Sequence, residues 1–128
     1  MIRPIRQEDV EAVIAILREN QQFADGLDYT QWTHPTLVAI AKERVVGLVQ
    51  AHLGFPYAIV TELSIARAHQ NQGYGVRLME HLETILRMSG VTAYVAHVAT
   101  GNLAMAELAE RWIGAPIGTG QAFLRRLL

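Results

Sequence analysis

The spacing of apolar residues changes along the chain between a helical and an extended period, and these changes predict the elements. From Glu8 the apolar residues recur at i, i+3, i+4 and i+7, which is typical of a helix with one apolar face. The range 76–88 has the same spacing, and Gly90 after it favours a helix C-cap. A third helix is predicted after Asn102, because asparagine is a common N-cap.

Runs of β-branched and other apolar residues between these helices predict strands. A polar turn at 42–44 joins two of the runs into a hairpin, and the run at 91–98 is apolar enough for a buried strand. The predicted strands cover residues 2–6, 36–41, 45–51, 58–66, 91–98 and 121–128. An antiparallel series that leads into one β-α-β unit predicts a mixed α/β fold of the α+β kind.

The range 20–35 has no clear period and mixes aromatic with acidic residues. The residues concerned are Phe23, Asp25, Asp28, Tyr29 and Trp32. Two interpretations are open. The segment is either a loop whose aromatic side chains anchor it to the core, or a wall of a binding site that suits a cationic group.

Composition narrows the class of protein and its partners. A chain of 128 residues with 51% hydrophobic and 18% charged residues is expected to form one compact domain over 1–128. A net charge of -1 and the lack of a basic run argue against a nucleic-acid partner and against binding to an anionic membrane.

The chain has no cysteine, which excludes disulfides, thiolate metal sites and a cysteine nucleophile. Its first residues carry charges where a signal peptide needs an apolar core, and no apolar run is long enough to span a bilayer. We therefore expect a cytoplasmic protein. The five histidines show no metal-ligand spacing, so we do not expect a zinc site.

The most informative motif is HQNQGYG, residues 69–75, between the predicted strand 58–66 and the predicted helix 76–88. A strand, a tight turn and a helix leave a row of unpaired backbone N–H groups at the helix N-terminus, where the helix dipole also favours an anion. Gly73 and Gly75 permit unusual dihedral angles and a close approach of a ligand. An ordinary loop with glycines for steric reasons is the alternative, because two glycines alone are a weak signal.

With these flanks the chain resembles the GNAT superfamily of acyl-coenzyme A dependent N-acyltransferases over nearly its whole length. Gln70, Gly73 and Gly75 match the superfamily motif [RQ]xxGx[GA], whereas GxGxxG and GxxxxGK[ST] are absent. The resemblance implies a GNAT fold. That fold has a mostly antiparallel, twisted sheet of about six to seven strands, with about three to four helices and a splay between the fourth and fifth strands.

The resemblance also implies that acetyl-CoA is the cosubstrate and that its pyrophosphate binds the amides of residues 70–75. The pantetheine arm is expected between strands 58–66 and 91–98, and a backbone N–H near Ser64 or Ile65 is expected to hold the oxyanion. Gln72 stands where many relatives carry Lys or Arg, with Arg67 and Arg77 as the nearest cations. The expected cofactor-binding residues are Ser64, Ile65, Gln70, Asn71, Gln72, Gly73, Tyr74, Gly75 and Asn102.

A protonated amine needs a base before it can attack a thioester, and two catalytic candidates follow from the resemblance. Glu62 occupies a strand position where relatives often carry a carboxylate, and His97 matches a position where some carry a base. Each has a structural alternative: Glu62 as a salt-bridge partner, His97 as a core imidazole. Where relatives have a Tyr that protonates the leaving thiolate, this chain has Ala109, so we expect slower catalysis.

The leading hypothesis is an N-acetyltransferase that acts directly, in a ternary complex, on a primary amine of a small molecule or peptide. Because Ala109 replaces the Tyr, the alternative is a degenerate acyl-CoA binding module with a sensing or regulatory role. A third possibility is an interaction protein that kept only the fold. A homodimer is a further hypothesis, because a short C-terminal segment leaves a strand edge to cover.

Overall fold

The computed structural model describes residues 1–20, 35–97, 115–117 and 122–127. The segment 20–35, apart from its two ends, and the helix predicted after Asn102 therefore lie outside the described residues. The described helices are α1 (Val10–Glu19) and α2 (Tyr74–Met88). The strands are β1 (Ile2–Pro4), β2 (Thr36–Ala41), β3 (Arg44–Leu53), β4 (Tyr57–Ile65), β5 (Ala93–His97), β6 (Ala115–Ile117) and β7 (Ala122–Arg126).

Within these residues the seven strands form one sheet in the order β1-β2-β3-β4-β5-β7-β6. Every neighbouring pair is antiparallel except β4 and β5, which run parallel because α2 connects them. β1 lies at one edge, where Pro4 costs the sheet no internal hydrogen bond. The mixed, mostly antiparallel sheet confirms the predicted fold class.

Within the described residues, one helix packs on each face of the sheet, against side chains that alternate between the two faces along each strand. The α1 face has a small core around α1. It is formed by Ile5, Val13, Ile16, Leu17, Val38 and Leu48. The α2 face has the larger core. Its members on the sheet include Leu37, Ala39, Val49, Ala51, Ala58, Val60, Ile65, Tyr94, Ala96 and Phe123, which pack with Leu78, Met79, Leu82 and Leu86 of α2.

The parallel pairing of β4 with β5 covers only part of β4. It runs from Tyr57 opposite Ala93 to Val60 opposite Ala96, whereas β4 continues to Ile65. Within the described residues, the second half of β4 therefore has an edge that does not pair with β5. This separation is the splay that was predicted between the fourth and fifth strands.

A β-bulge interrupts β4 at the same point. Gln50 of β3 lies opposite Glu62, and the next residue of β3, Ala51, lies opposite Val60, so that Thr61 has no partner of its own. The extra residue reverses the alternation of side chains, as bulges do. Ala58 and Val60 precede the bulge on the α2 face, and Ile65 after it is again on the α2 face. Glu62 and Ser64 consequently lie on the α1 face.

A buried polar cluster fixes the C-terminal strand to α2. The Tyr94 hydroxyl donates to Oε2 of Glu83 at 2.6 Å, and Nε of Arg125 lies 2.6 Å from the same oxygen. Tyr94 and Glu83 are both almost completely buried. Burial, with the Glu83 carboxylate beside it, raises the pKa of Tyr94. The cluster holds β5, β7 and α2 in one unit.

The starts of the two described helices and one unpredicted strand need correction. α2 begins at Tyr74, two residues earlier than predicted, so Gly75 is part of the helix. α1 begins at Val10, because Asp9 forms a short 3-10 turn in which its carboxylate accepts from Arg3 at 2.6 Å. β6 was not predicted as a strand, since it is three residues long and lies among glycines; pairing with β7 supplies its order.

Candidate functional site

The connection from β4 to α2 presents a row of unpaired backbone donors. After a 3-10 turn at Arg67–His69, the chain takes a left-handed conformation at Asn71, with φ 62°, and again at Gly73, with φ 88°. The first backbone bond of α2 runs from Arg77 N–H to Gly73 O, at 3.1 Å. Within the described residues, the N–H groups of residues 71–76 donate no hydrogen bond. We call these groups the amide row.

The two glycines of the motif have different physical roles. Gly73 needs its lack of a side chain for its positive φ, which other residues adopt at a cost. Gly75 does not have a positive φ and lies buried in the first turn of α2, so the prediction of unusual dihedral angles was wrong for this residue. The role left for Gly75 is steric, because a residue without a Cβ leaves space for a ligand beside the amide row.

Gln70 shapes the loop and adds nothing to the amide row, contrary to its predicted place there. Its N–H points to Arg67 O at 3.5 Å, and its side-chain Nε2 donates to Ile65 O at 3.1 Å. The same Nε2 lies 3.4 Å from Oδ1 of Asn20. A glutamine at this position therefore closes the loop back onto the end of β4.

Asn20, which the sequence did not single out, completes this clamp from the end of α1. Its Nδ2 donates to Oγ of Ser64 at 2.6 Å and to Ile65 O at 2.8 Å. The bonded residues are 44 and 45 positions apart in sequence. A single asparagine after a helix carries no signal of so distant a contact. The clamp joins α1, the end of β4 and the loop into one frame.

Among the described side chains, one cation lies against the loop. Nη2 of Arg77 donates to Gln72 O at 3.2 Å, and the guanidinium lies 5.0 Å from the centre of the Tyr74 ring. Arg67, the other predicted cation, has its N–H bound to Glu19 at 2.8 Å and an exposed side chain. Arg77 thus brings to the loop the positive charge that Gln72 lacks.

The unpaired half of β4 offers further backbone donors. Ala66 N–H donates to Val46 O, which places the N–H groups of Ala66, Ser64 and Glu62 toward β3, because donors alternate along a strand. The N–H groups of Leu63 and Ile65 then point to the edge that β5 leaves uncovered. Of the two predicted oxyanion donors, only Ile65 faces the splay, and Leu63 is an addition.

Glu62 lies on the α1 face, next to the splay, in a row of polar residues that crosses three strands. Its partner in the ladder is Gln50, whose Nε2 donates to Oγ1 of Thr36 at 2.9 Å. Thr36 and Gln50 are buried and Glu62 is partly buried. Burial raises the pKa of Glu62 from 4.5 to about 7, so that the carboxyl can exchange a proton near neutral pH.

The structure describes only part of the remaining predicted site residues. His97 is the last residue of β5, and its side chain is outside the described part, as are Asn102 and Ala109 entirely. The phenol of Tyr94 on β5 cannot take the role of the missing Tyr, since its hydroxyl donates to Glu83 on the α2 face. The described residues hold no cluster of three His, Asp or Glu side chains that could bind a metal ion. They also include no helix with the length and hydropathy of a membrane span.

Comparison with known proteins gives a family and a set of similar folds. The model of the acetyltransferase (GNAT) family matches residues 5–115. The structure of PaiA N-acetyltransferase from Thermoplasma acidophilum, in complex with coenzyme A, is similar with a TM-score of 0.80 and 16% identity, over 98% of each chain. A search of curated proteins finds no matching sequence.

Two further solved structures share the fold. The ribosomal-protein-S18-alanine N-acetyltransferase from Escherichia coli has a TM-score of 0.74 and 18% identity, over 97% of this chain and 90% of the other. An aminoglycoside 6'-N-acetyltransferase complexed with coenzyme A has a TM-score of 0.78 and 12% identity, over 100% and 97%. At these identities the similarity shows the fold.

Proposed function

Because the chain belongs to the acetyltransferase (GNAT) family, we propose that it transfers an acetyl group from acetyl-CoA to a primary amine of a small molecule or peptide. The observation that carries the proposal is the amide row of residues 71–76, which is unpaired and lies at the N-terminus of α2. A diphosphate carries the charge and the acceptor oxygens that such a row binds. Arg77 adds a cation at the same place.

The chain's residues fit the rest of acetyl-CoA as well. Among the described residues no strand pairs with the edge of β4 beyond Val60 on the side of β5, so an extended pantetheine arm can take the place of a neighbouring strand. Its amides would bond Leu63 or Ile65. Two structural neighbours were crystallised with coenzyme A, which supports this assignment for the shared fold.

Acetyl-CoA supplies an activated thioester, and the chain supplies the base and the donor. Glu62 takes a proton from the amine, whose nitrogen forms the bond to the acetyl carbon while the carbon–sulfur bond breaks. Of the Leu63 and Ile65 N–H groups, one bonds the pantetheine arm and the other donates to the carbonyl oxygen as that oxygen gains negative charge. The sulfur leaves as a thiolate, and the second proton that the nitrogen loses passes to this thiolate or to water. Transfer is direct, because the chain has no cysteine to carry the acetyl group.

The proposed acceptor amine belongs either to a small molecule or to a peptide. Among the neighbours, one name refers to a protein alanine and another to an aminoglycoside. The range 20–35 and the short C-terminal segment are the parts of the chain that we expect to distinguish acceptors.

Thermal melting with acetyl-CoA tests the binding step. A ligand at a hundred times its dissociation constant adds about 2.7 kcal/mol to the free energy of unfolding. For a domain of this size that corresponds to a rise in Tm of about 10 °C. Adenosine at the same concentration is the control, since it lacks the diphosphate and the pantetheine. An unchanged Tm at millimolar acetyl-CoA contradicts the proposal.

Release of free thiol then distinguishes an enzyme from a binding module. The chain has no cysteine, so a thiol reagent detects only the coenzyme A product. We expect amine-dependent release with at least one primary amine of a panel of amino acids, peptides and polyamines. Binding without release from any amine supports the alternative of a sensing or regulatory module.

A further inference from the structure

A groove of about 790 Å³ crosses the α1 face of the sheet over the β4–β5 ladder. It is separate from the amide row, which lies beyond the other end of β4. The side chains that define it belong to four strands or their ends, and they are His52, Tyr57, Ile59, Val95, Leu124 and Arg126.

The floor of the groove is apolar and accessible. Ile59 is 50% exposed and Tyr57 is 64% exposed, although their neighbours Ala58 and Val60 are almost completely buried on the other face. Apolar side chains grouped on an open sheet face usually mark a binding surface. The floor suits a ligand with an apolar portion.

The charge of the groove is positive at one end. Arg126 borders it and makes no ion pair within the described part of the chain, whereas Arg125, next to it, is turned to the α2 face and pairs with Glu83. None of the described lining residues is an aspartate or a glutamate. An anionic group is therefore the complement of this end of the groove.

The groove and the candidate base share a face and a strand. Ile59 of the floor precedes Glu62 by three residues on β4, and both lie on the α1 face. Arg126 is in register with Ala93, which is in register with Tyr57. Five residues along β4 and two strand spacings separate the backbones of Arg126 and Glu62 by roughly 19 Å.

We infer that the acceptor is an elongated amine with an apolar middle and a carboxylate at its far end, and that Arg126 binds this carboxylate. The inference rests on the proposed function, since it assigns the acceptor to the same reaction. With Arg126 and Glu62 extended toward each other over the sheet, the two side chains cover about half of the separation and leave about 10 Å, the length of an extended tripeptide. The carboxylate belongs either to a peptide C-terminus or to a small amino acid-like molecule.

Two pairs of acceptors test the inference and distinguish these sources. Glycyl-leucyl-glycine is compared with its C-terminal amide, and 8-aminooctanoate with octylamine, all with the full chain and acetyl-CoA. We expect the acid of at least one pair to have a kcat/KM about ten times that of its neutral partner. Preference within the peptide pair alone indicates a peptide acceptor, and preference within the other pair alone a small molecule.

Variants of Arg126 test whether this residue causes the preference for the acid over its neutral partner. In Arg126→Ala the acid and its neutral partner should be used equally, and Arg126→Lys should keep part of the preference. Arg44→Ala, at the exposed β2–β3 turn, should keep the wild-type ratio. Equal use of both partners by the wild type, with measurable turnover, overturns the inference and leaves acetyl transfer intact.

Calorimetry of the same compounds with the complex of protein and coenzyme A gives a second readout that needs no turnover. Tighter binding of an acid than of its neutral partner, lost in Arg126→Ala, supports the inference. Equal affinities, or no binding of either acid at millimolar concentration, overturn it. If no amine is acetylated, the proposed function fails, and this measurement still decides whether Arg126 binds a carboxylate.

Discussion

Replacement of Glu62 by Gln should lower kcat by about 10²- to 10⁴-fold, the usual contribution of a general base. Gln has nearly the same shape and can still bond within the polar row on the α1 face, but it cannot take a proton. The affinity for acetyl-CoA should stay within about twofold, because Glu62 lies outside the amide row. Steady-state kinetics and calorimetry of the variant check both expectations.

The pH profile gives the same prediction a second readout. Since burial raises the pKa of Glu62 to about 7, kcat of the wild type should increase with pH and reach half of its plateau near pH 7. This limb should be absent in Glu62→Gln. A histidine base has an ordinary pKa of about 6.5, so the wild-type profile alone does not separate Glu62 from His97. Loss of the limb in His97→Gln and its retention in Glu62→Gln would reverse the assignment.

The raised pKa also has a consequence for stability. The folded protein holds the Glu62 proton up to about pH 7, whereas the unfolded chain releases it near pH 4.5. The contribution of the protonated carboxyl is therefore complete below pH 4.5 and is lost as the pH rises through 7. The Tm of Glu62→Gln relative to the wild type should accordingly increase between pH 4.5 and pH 8. A difference in Tm that does not change with pH contradicts the raised pKa.

Replacement of Gly75 by Val should weaken acetyl-CoA binding by about 10²- to 10⁴-fold. The new side chain stands beside the amide row, and loss of two charge-assisted hydrogen bonds costs about 3–6 kcal/mol. Valine has a higher helix propensity than glycine, so propensity alone does not lower the stability of α2. Calorimetry with acetyl-CoA measures the affinity, and melting without ligand shows whether the variant is folded.

Gln72→Lys is a control with the opposite sign on the same loop. It places a cation next to the bound diphosphate, and we expect the affinity to rise about three- to tenfold and to become more sensitive to salt. Gln72 is exposed, so the substitution leaves the core unchanged. For the Gly75→Val variant, an affinity for acetyl-CoA equal to that of the wild type, in a protein that is still folded, contradicts the location of the diphosphate.

The sequence predicted those parts of the fold that have a local signal. The apolar spacing of 10–17 and 76–88 identified both described helices, and the turn at 42–44 identified the β2–β3 hairpin. β6 had no such signal, because three residues among glycines and Pro116 become a strand only through pairing with β7. Strand order depends on these distant pairings, which periodicity does not encode.

The candidate site was predicted through its motif, and its side-chain geometry was not. Strict alternation from Ala58 and Val60 would place Glu62 on the α2 face, and only the bulge at Thr61 turns it to the α1 face. The clamp of Asn20 joins residues more than 40 positions apart. The direction of the Ile65 N–H follows from a bond of Ala66 to β3. All three depend on contacts between elements, which a single sequence does not show.

Backbone amide NMR of the loop is the most direct test of the central claim, that the free N–H groups of residues 71–76 bind the diphosphate of coenzyme A. Titration with coenzyme A should shift the amide resonances of Gln72 to Val76, whereas pantetheine, which lacks the diphosphate, should shift those of Leu63 and Ile65 and leave the loop unchanged. Loop amide resonances that do not move at saturating coenzyme A would contradict the account.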